Sequence, residues 1–104
     1  MWVRMSIFQG APDQTDEQVE QNNKTLQEKI LPTARAMEGF KGVISLGDRT
    51  NGKGIALTFW ETEAAMKASE EAANQLRQQS ADEVAEQVAG VERYEVYIYE
   101  APQG

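Results

Sequence analysis

The stretch that decides the fold is residues 39–66, GFKGVISLGDRTNGKGIALTFWETEAAM. Its pattern predicts one strand over residues 42–50, a second over 53–60, and a helix that starts directly after Trp60. The dipeptide Asn51-Gly52 tolerates the positive φ angles of a two-residue type I′ turn. The two strands are therefore expected to pair as an antiparallel hairpin.

The residues before this stretch predict a strand and a helix. Residues 2–9 alternate in the manner of a strand, and Thr15-Asp16-Glu17-Gln18 forms a capping box that opens a helix. Pro32 lies inside the apolar stripe of that helix and is expected to kink it or to make Leu31 a boundary. The stripe consists of Val19, Leu26, Ile30, Ala34 and Met37.

The residues after it complete the order of elements. We expect a second helix over residues 62–78, a short third helix from Ser80 to about Gly90, and a last strand over 91–100. The order β-α-β-β-α-(α)-β predicts a single α+β domain over residues 1–104. Its fold class is ferredoxin-like, a four-stranded antiparallel sheet with both helices on one face.

Both faces of this sheet look apolar, which predicts a partner for the face without helices. If the aromatic residues of the strands were exposed, they would form an apolar patch too large for a monomer. These residues are Trp2, Phe8, Trp60, Tyr97 and Tyr99. We therefore expect a homodimer packed sheet to sheet, with Arg4, Arg93 and Glu95 forming ion pairs inside the interface. The alternative is a monomer whose aromatic residues enter one core.

Charge and composition exclude several classes of function. Seventeen acidic residues against ten scattered basic ones give a net charge of −7, so binding to nucleic acids or to anionic membranes is not expected. The chain has neither histidine nor cysteine, which removes the common ligands of zinc and haem. We therefore expect no metal and no cofactor. A basic-then-apolar leader is not visible, and the cytoplasm is the expected location.

Several short motifs resemble the antibiotic biosynthesis monooxygenase-like family, of the dimeric α+β barrel superfamily. They are Ile30-Leu31-Pro32, Gly39-Phe40-Lys41-Gly42, Asp48-Arg49, Asn51-Gly52 and Trp60-Glu61-Thr62-Glu63-Ala64. The resemblance implies a homodimeric barrel. The family includes cofactor-independent oxygenases of polyphenolic substrates, haem-degrading enzymes and barrels without known activity.

The resemblance favours one activity over another. Haem degradation in this family uses a histidine, which this chain lacks. The cofactor-independent branch is similar in having a tryptophan at Trp60, but it has an asparagine four residues earlier, where this chain has Ala56. The implied function is binding of a hydrophobic or aromatic small molecule, with cofactor-independent oxygenation as the reaction. The alternative is a non-catalytic ligand-binding or structural interaction module.

The predicted substrate-binding residues are Trp60, Phe40, Met37, Met66 and Tyr97. Trp60 could stack on a planar ligand, and methionines adapt to irregular ligands. Packing residues of the core would show the same pattern, so that alternative stays open. A tyrosine beside Arg4 or Arg93 is a candidate acid–base group, although alternating tyrosines are also ordinary in strands.

Overall fold

The computed structural model describes residues 1–102. In chain order the elements are β1 (Trp2–Gln9), α1 (Asp16–Thr25), a π-helical turn (Leu26–Ile30), α2 (Leu31–Arg35), β2 (Phe40–Asp48), β3 (Lys53–Trp60), α3 (Glu63–Ala68), α4 (Glu70–Glu83) and β4 (Gln87–Glu95). The strands form one antiparallel sheet in the order β2-β3-β1-β4. The predicted α+β fold class with a four-stranded antiparallel sheet is confirmed. Within the described residues, every helix is too short or too polar to cross a bilayer.

The first helix starts and bends where the sequence predicts. Thr15 caps it, and the reciprocal bonds of Thr15 and Gln18 complete the capping box. Pro32 lacks an amide hydrogen and crowds the carbonyl four residues before it. The chain widens into the π-helical turn Leu26–Ile30 directly before this proline. The predicted disturbance at Pro32 is therefore confirmed, and it takes the form of a π turn.

The hairpin turn differs from the prediction. Four residues, not two, separate β2 from β3, and only Gly52 among them has a positive φ, of 82°. The Asp48 carboxylate accepts hydrogen bonds from the amides of Thr50 and Asn51, and the Gly52 amide donates to the Asp48 carbonyl. These local bonds stabilise the longer turn, so the type I′ turn at Asn51-Gly52 is wrong.

The C-terminal third also differs. The second helix is broken at Ser69 into α3 and α4. The predicted short helix from Ser80 to Gly90 is wrong, because α4 continues through Ser80 and ends at Glu83. The last strand is Gln87–Glu95, four residues earlier at its start than the predicted 91–100. The serine read as a cap is buried inside α4, so the capping-box pattern there was misleading.

The helices cover the sheet face that carries Arg4, Ser6 and Phe8, all of them buried. Trp60 lies on this same face, so Phe8 and Trp60 do not belong to the face without helices, where the predicted sheet-to-sheet dimer placed them. Arg4 and Arg93 both bind Glu70 of α4, which places them on the helix side, not in a sheet-to-sheet interface.

The sheet face without helices is also apolar, because the residues that alternate with those of the covered face are apolar as well. Across the central strands Val3 pairs with Phe59, Met5 with Leu57, and Ile7 with Ile55. On β2 the residues of this face, Ile44 and Leu46, are 44% and 50% exposed. The prediction that both faces carry apolar residues holds, with these residues on the uncovered side.

We expect Gly39→Ala to lower the free energy of unfolding by about 2–4 kcal/mol. Gly39 has a φ of 80°, and a Cβ there would lie 2.5 Å from the Cβ of Ala65 in α3. Strain and overlap therefore act together at the entry to β2. Gly90→Ala is the matched control, since its Cβ would make an ordinary 3.8 Å contact with Ile7. Urea denaturation measures both variants, and equal stability would contradict the prediction.

Candidate functional site

A cleft of about 850 Å³ opens between the first helical segment and the β2–β3 side of the sheet. Its apolar wall includes Phe8, Val19, Leu26, Ile30 and Val43. Amide and hydroxyl groups share the lining; they are supplied by Gln14, Asn22, Asn23, Gln27, Ser45 and Ser80. A cleft of this size, lined by both apolar and polar side chains, can hold a small organic molecule.

Two glycines of the sheet form part of the floor of the cleft. Gly47 and Gly54 are directly opposite each other in the hairpin, and Gly54 is also opposite the buried Phe8. Neither glycine has a side chain to fill the space above the strands. Glycine inside a strand weakens it and often marks a place where a ligand or another chain segment comes close. This pair was the sequence signal for the cleft, and the motif-based prediction did not use it.

The helix above the cleft packs loosely. No residue of α1 is buried, and burial begins only at Ile30, the last residue of the π-helical turn. The widened turn before Pro32 therefore marks the point where the helix joins the core. The N-terminal half of the helix lies over the strands as a roof with an amide-rich inner surface.

Glu86 lies at the hairpin end of the cleft. Its carboxylate lies against Gly54, where a Cβ would be 3.4 Å from Oε2. Burial raises the pKa of this carboxyl above its usual value. Sequence reasoning missed Glu86 because it placed the residue on a third helix that does not form.

The five residues predicted to bind substrate lie elsewhere. Trp60 is 1% exposed, and its indole N–H donates to the Thr58 hydroxyl at 3.0 Å. Phe40 meets Trp60 edge to face, with ring centroids 5.9 Å apart. Met37 and Phe40 pack against the core cluster that contains Ile30. None of these three residues lines the cleft, although Ile30 does.

The other two predicted residues are in contrasting positions. Met66 is 1% exposed, and its carbonyl accepts a hydrogen bond from Arg4. Tyr97 is 87% exposed and follows the end of β4. The structure thus brings Trp60 and Phe40 into contact and leaves Tyr97 in the open. A ligand contact by any of the five stays a prediction.

A buried guanidinium organises the other end of the covered face. Arg4 donates to the Met66 carbonyl at 2.7 Å, to the Ser69 hydroxyl at 3.0 Å and to the Glu70 carboxylate at 2.8 Å. Its guanidinium also lies 5.2 Å from the centre of the Trp60 ring. Glu70 binds Arg93 as well, and the bonds to Arg93 and Arg4 lower the pKa of Glu70 to about 2.

Arg77 is a second buried cation on this face. Its Nε donates to Ser6 and its Nη1 to Asn74, while Nη2 is buried and, among residues 1–102, has no hydrogen-bond partner. Burial and the nearby charge of Arg4 lower its pKa. Arg4 and Arg93 bind the Glu70 carboxylate directly, whereas Arg77 interacts with it only through its charge.

Solved structures with this architecture include several oxygenases. SnoaB, a cofactor-independent oxygenase from Streptomyces nogalater, aligns over 94% of each chain with a TM-score of 0.63 and 12% identity. The monooxygenase encoded by ActVA-Orf6 of Streptomyces coelicolor, solved with nanaomycin D, aligns over 98% of this chain and 92% of its own with a TM-score of 0.64 and 13% identity. This chain has the fold of the antibiotic biosynthesis monooxygenases. A candidate member from Deinococcus radiodurans matches the monooxygenase-like fold over 100% of both chains with a TM-score of 0.63 and 13% identity.

Sequence comparison adds little beyond the monooxygenase-like fold. No protein-family model matches this chain. Two uncharacterised proteins of Mycobacterium tuberculosis, Rv2557 and MT2634, are each 40% identical over 53 residues. The match spans 51% of this chain and only 24% of the length of those curated relatives.

We expect Glu70→Gln to lower the free energy of unfolding at neutral pH by about 2 kcal/mol, because it weakens charge-assisted bonds to Arg4 and Arg93. The folded pKa of about 2 lies below the ordinary value of 4.5. The stabilisation by Glu70 is therefore full above the higher value and is lost as the pH falls through the lower one. Denaturation at pH 7 and near pH 2 measures this, with exposed Glu71→Gln as control. An equal loss at both pH values would contradict the prediction.

Proposed function

We propose that this protein binds a hydrophobic aromatic molecule of the phenol class in the cleft beneath α1. The observation that carries the proposal is the cleft itself, about 850 Å³ of space between helices and sheet with an apolar wall and several amide groups. A planar ring system would lie between the helical roof and the strands that carry Gly47 and Gly54. The likeness to a monooxygenase solved with nanaomycin D supports a ligand of this kind.

The reaction that we propose for the site is cofactor-independent oxygenation. In such a reaction an electron-rich substrate reduces dioxygen itself, so the protein contributes shape and exclusion of water. For an anthrone, the methylene carbon becomes a carbonyl carbon; one atom of dioxygen enters the product, and the other leaves as water with the two methylene hydrogens. The likeness to SnoaB supports this choice.

Ligand binding without turnover is the second candidate function. The burial of Trp60, with its N–H already bonded to Thr58, favours this candidate, since a ligand reaches the indole only after the core repacks. Ile30 lines the cleft and belongs to the cluster that supports Met37 and Phe40. For both candidate functions, Met37 and Phe40 would support the wall of the cleft through Ile30 without contacting the ligand.

Ser45→Trp tests where the ligand binds and whether it reacts. Ser45 is exposed on β2 and lines the cleft, so an indole there fills the space without entering the core. With a hydroxyanthrone as probe, we expect wild type to show binding and oxygen uptake above buffer, and the variant to lose about tenfold in affinity. Gln75→Trp, on the exposed side of α4, is the control.

The outcomes separate the two functions. Oxygen uptake that falls with Trp60→Phe while binding persists would support oxygenation with a role for Trp60. Binding without oxygen uptake would leave only the second function. Equal binding by wild type and Ser45→Trp would contradict the cleft as the site.

We also propose that the protein is a homodimer packed through the uncovered sheet face. The support is the continuous apolar surface on that face, including exposed Ile44 and Leu46. Tyr99 extends it, with its ring centroid 6.5 Å from that of Phe59. A patch of this kind is unusual on a monomer. The cytoplasm remains the predicted location.

Light scattering at micromolar concentration checks the dimer. We expect twice the mass of one chain for wild type and for the control Gln75→Glu. Ile44→Glu should shift the mass to that of one chain, because it puts a charge into an apolar interface. Ile44 is 44% exposed in the monomer, so the variant is expected to fold. A single-chain mass for wild type would overturn the dimer.

A further inference from the structure

Glu86 is held in place by an unusual helix end. Its amide donates to the Ala81 carbonyl at 2.8 Å, the bond that closes a Schellman motif after α4. The residue before it, Ala85, has a φ of 56°, a left-handed conformation that usually requires glycine. An alanine here stores strain of order 1 kcal/mol. The end of α4 therefore directs Glu86 into the cleft at an energetic cost.

The residue type at this position is equally unusual. The position that closes a Schellman motif commonly carries an apolar side chain that packs back on the helix. Here a carboxylate occupies it and lies against two glycines: a Cβ at Gly10 would be 3.1 Å from Cγ of Glu86, and one at Gly54 would be 3.4 Å from Oε2. Both neighbours lack the side chain that would otherwise fill this space. The backbone thus makes room for the carboxyl group.

Within the described residues the Glu86 carboxylate forms no ion pair and no hydrogen bond. Arg49, which lines the same cleft, binds Asp16 instead. The other charged groups of the lining are Asp48 and Lys53 of the hairpin, while α1 and its approach present only neutral amides. A half-buried carboxyl group that faces a cavity without a partner is available to a ligand.

We propose that Glu86 selects the ligand of the cleft by accepting a hydrogen bond from its phenolic hydroxyl group. This inference rests on the proposed function, because it names the polar anchor of the same site. An ionised carboxylate only accepts, so it favours a ligand with an O–H donor and disfavours a ligand that presents its own anion there. A site built to bond a hydroxyl rejects the analogue without it strongly, since its own acceptor is then left unpaired.

The anchor and the apolar wall define the orientation of the ligand. Glu86 lies at the hairpin end of the cleft, beside Gly54, whereas Leu26 and Ile30 of the π-helical turn belong to its helical wall. A phenol would therefore direct its hydroxyl toward the helix end at Ala85 and pack its ring system along Phe8 and Ile30. The raised pKa of the free carboxyl makes it a better proton acceptor than an exposed glutamate once ionised.

A matched pair of ligands tests the anchor. We would titrate the protein with 2-naphthol and with 2-methoxynaphthalene, in which a methyl group replaces the hydroxyl hydrogen, and follow ligand fluorescence. Wild type should prefer 2-naphthol by about tenfold, the effect of one hydrogen bond to a charged group. Glu86→Leu should lose this preference, and Glu86→Gln should keep a smaller one, because its amide oxygen still accepts a hydrogen bond.

The control and the pH profile complete the experiment. Glu71→Gln removes an exposed carboxylate from α4 and should leave the preference unchanged. The preference of wild type should fall as the pH drops through the raised pKa of Glu86, while that of Glu86→Gln stays flat. Glu86→Leu should melt at a higher temperature than wild type at neutral pH, since a desolvated charge is removed.

Each result decides one claim. Equal affinity of wild type for both ligands, or a preference that survives Glu86→Leu, would overturn the role of Glu86 while leaving the cleft as a binding site. Binding of neither ligand, nor of the hydroxyanthrone, would overturn the proposed function and this inference with it.

Discussion

The burial of the Arg4 guanidinium is the constraint on which the covered side of the sheet depends. A cation that is 2% exposed must find partners inside the protein, because an unpaired buried charge is strongly destabilising. Arg4 finds them at the break between α3 and α4, where it binds the Met66 carbonyl, Ser69 and Glu70. The helix break therefore lies where the guanidinium finds its partners. The same guanidinium lies over Trp60 and fixes the tryptophan in the core.

This anchoring makes the two ends of the covered face unequal. At the Arg4 end, charge-assisted bonds hold α3 and α4 on the sheet, and Arg93 adds a second cation to Glu70. At the other end, α1 buries no residue and lies over strands that carry Gly47 and Gly54. The cleft opens where the residues of α1 are not buried and the strands below carry glycines.

The sequence predicted the elements well wherever the local signals agreed. The first strand, the Thr15 capping box and the disturbance at Pro32 all lie where they were expected. The assignment of the sheet faces failed, because the apolar residues Met5 and Ile7 suggest a core face, yet the helices cover Arg4 and Ser6. Only the long-range bonds of Arg4 and Arg77 decide this, and they join residues more than 60 positions apart, out of reach of any local pattern.

Glu86 shows a different limit of prediction. The residue with a positive φ after α4 is Ala85, so no glycine marks the end of this helix in the sequence. The predicted helix therefore extended to Gly90 and included Glu86, which lines the cleft. Both faces of the sheet contribute to the stability of the fold that holds Glu86 in the cleft. The covered face combines polar contacts with the buried side chains of Trp60 and Met66, whereas the uncovered face holds further apolar surface that one chain leaves exposed. In the proposed dimer that surface would be buried. Burial of that face would then add to the free energy of the covered core, and both would help to keep Glu86 and its strained neighbour in place.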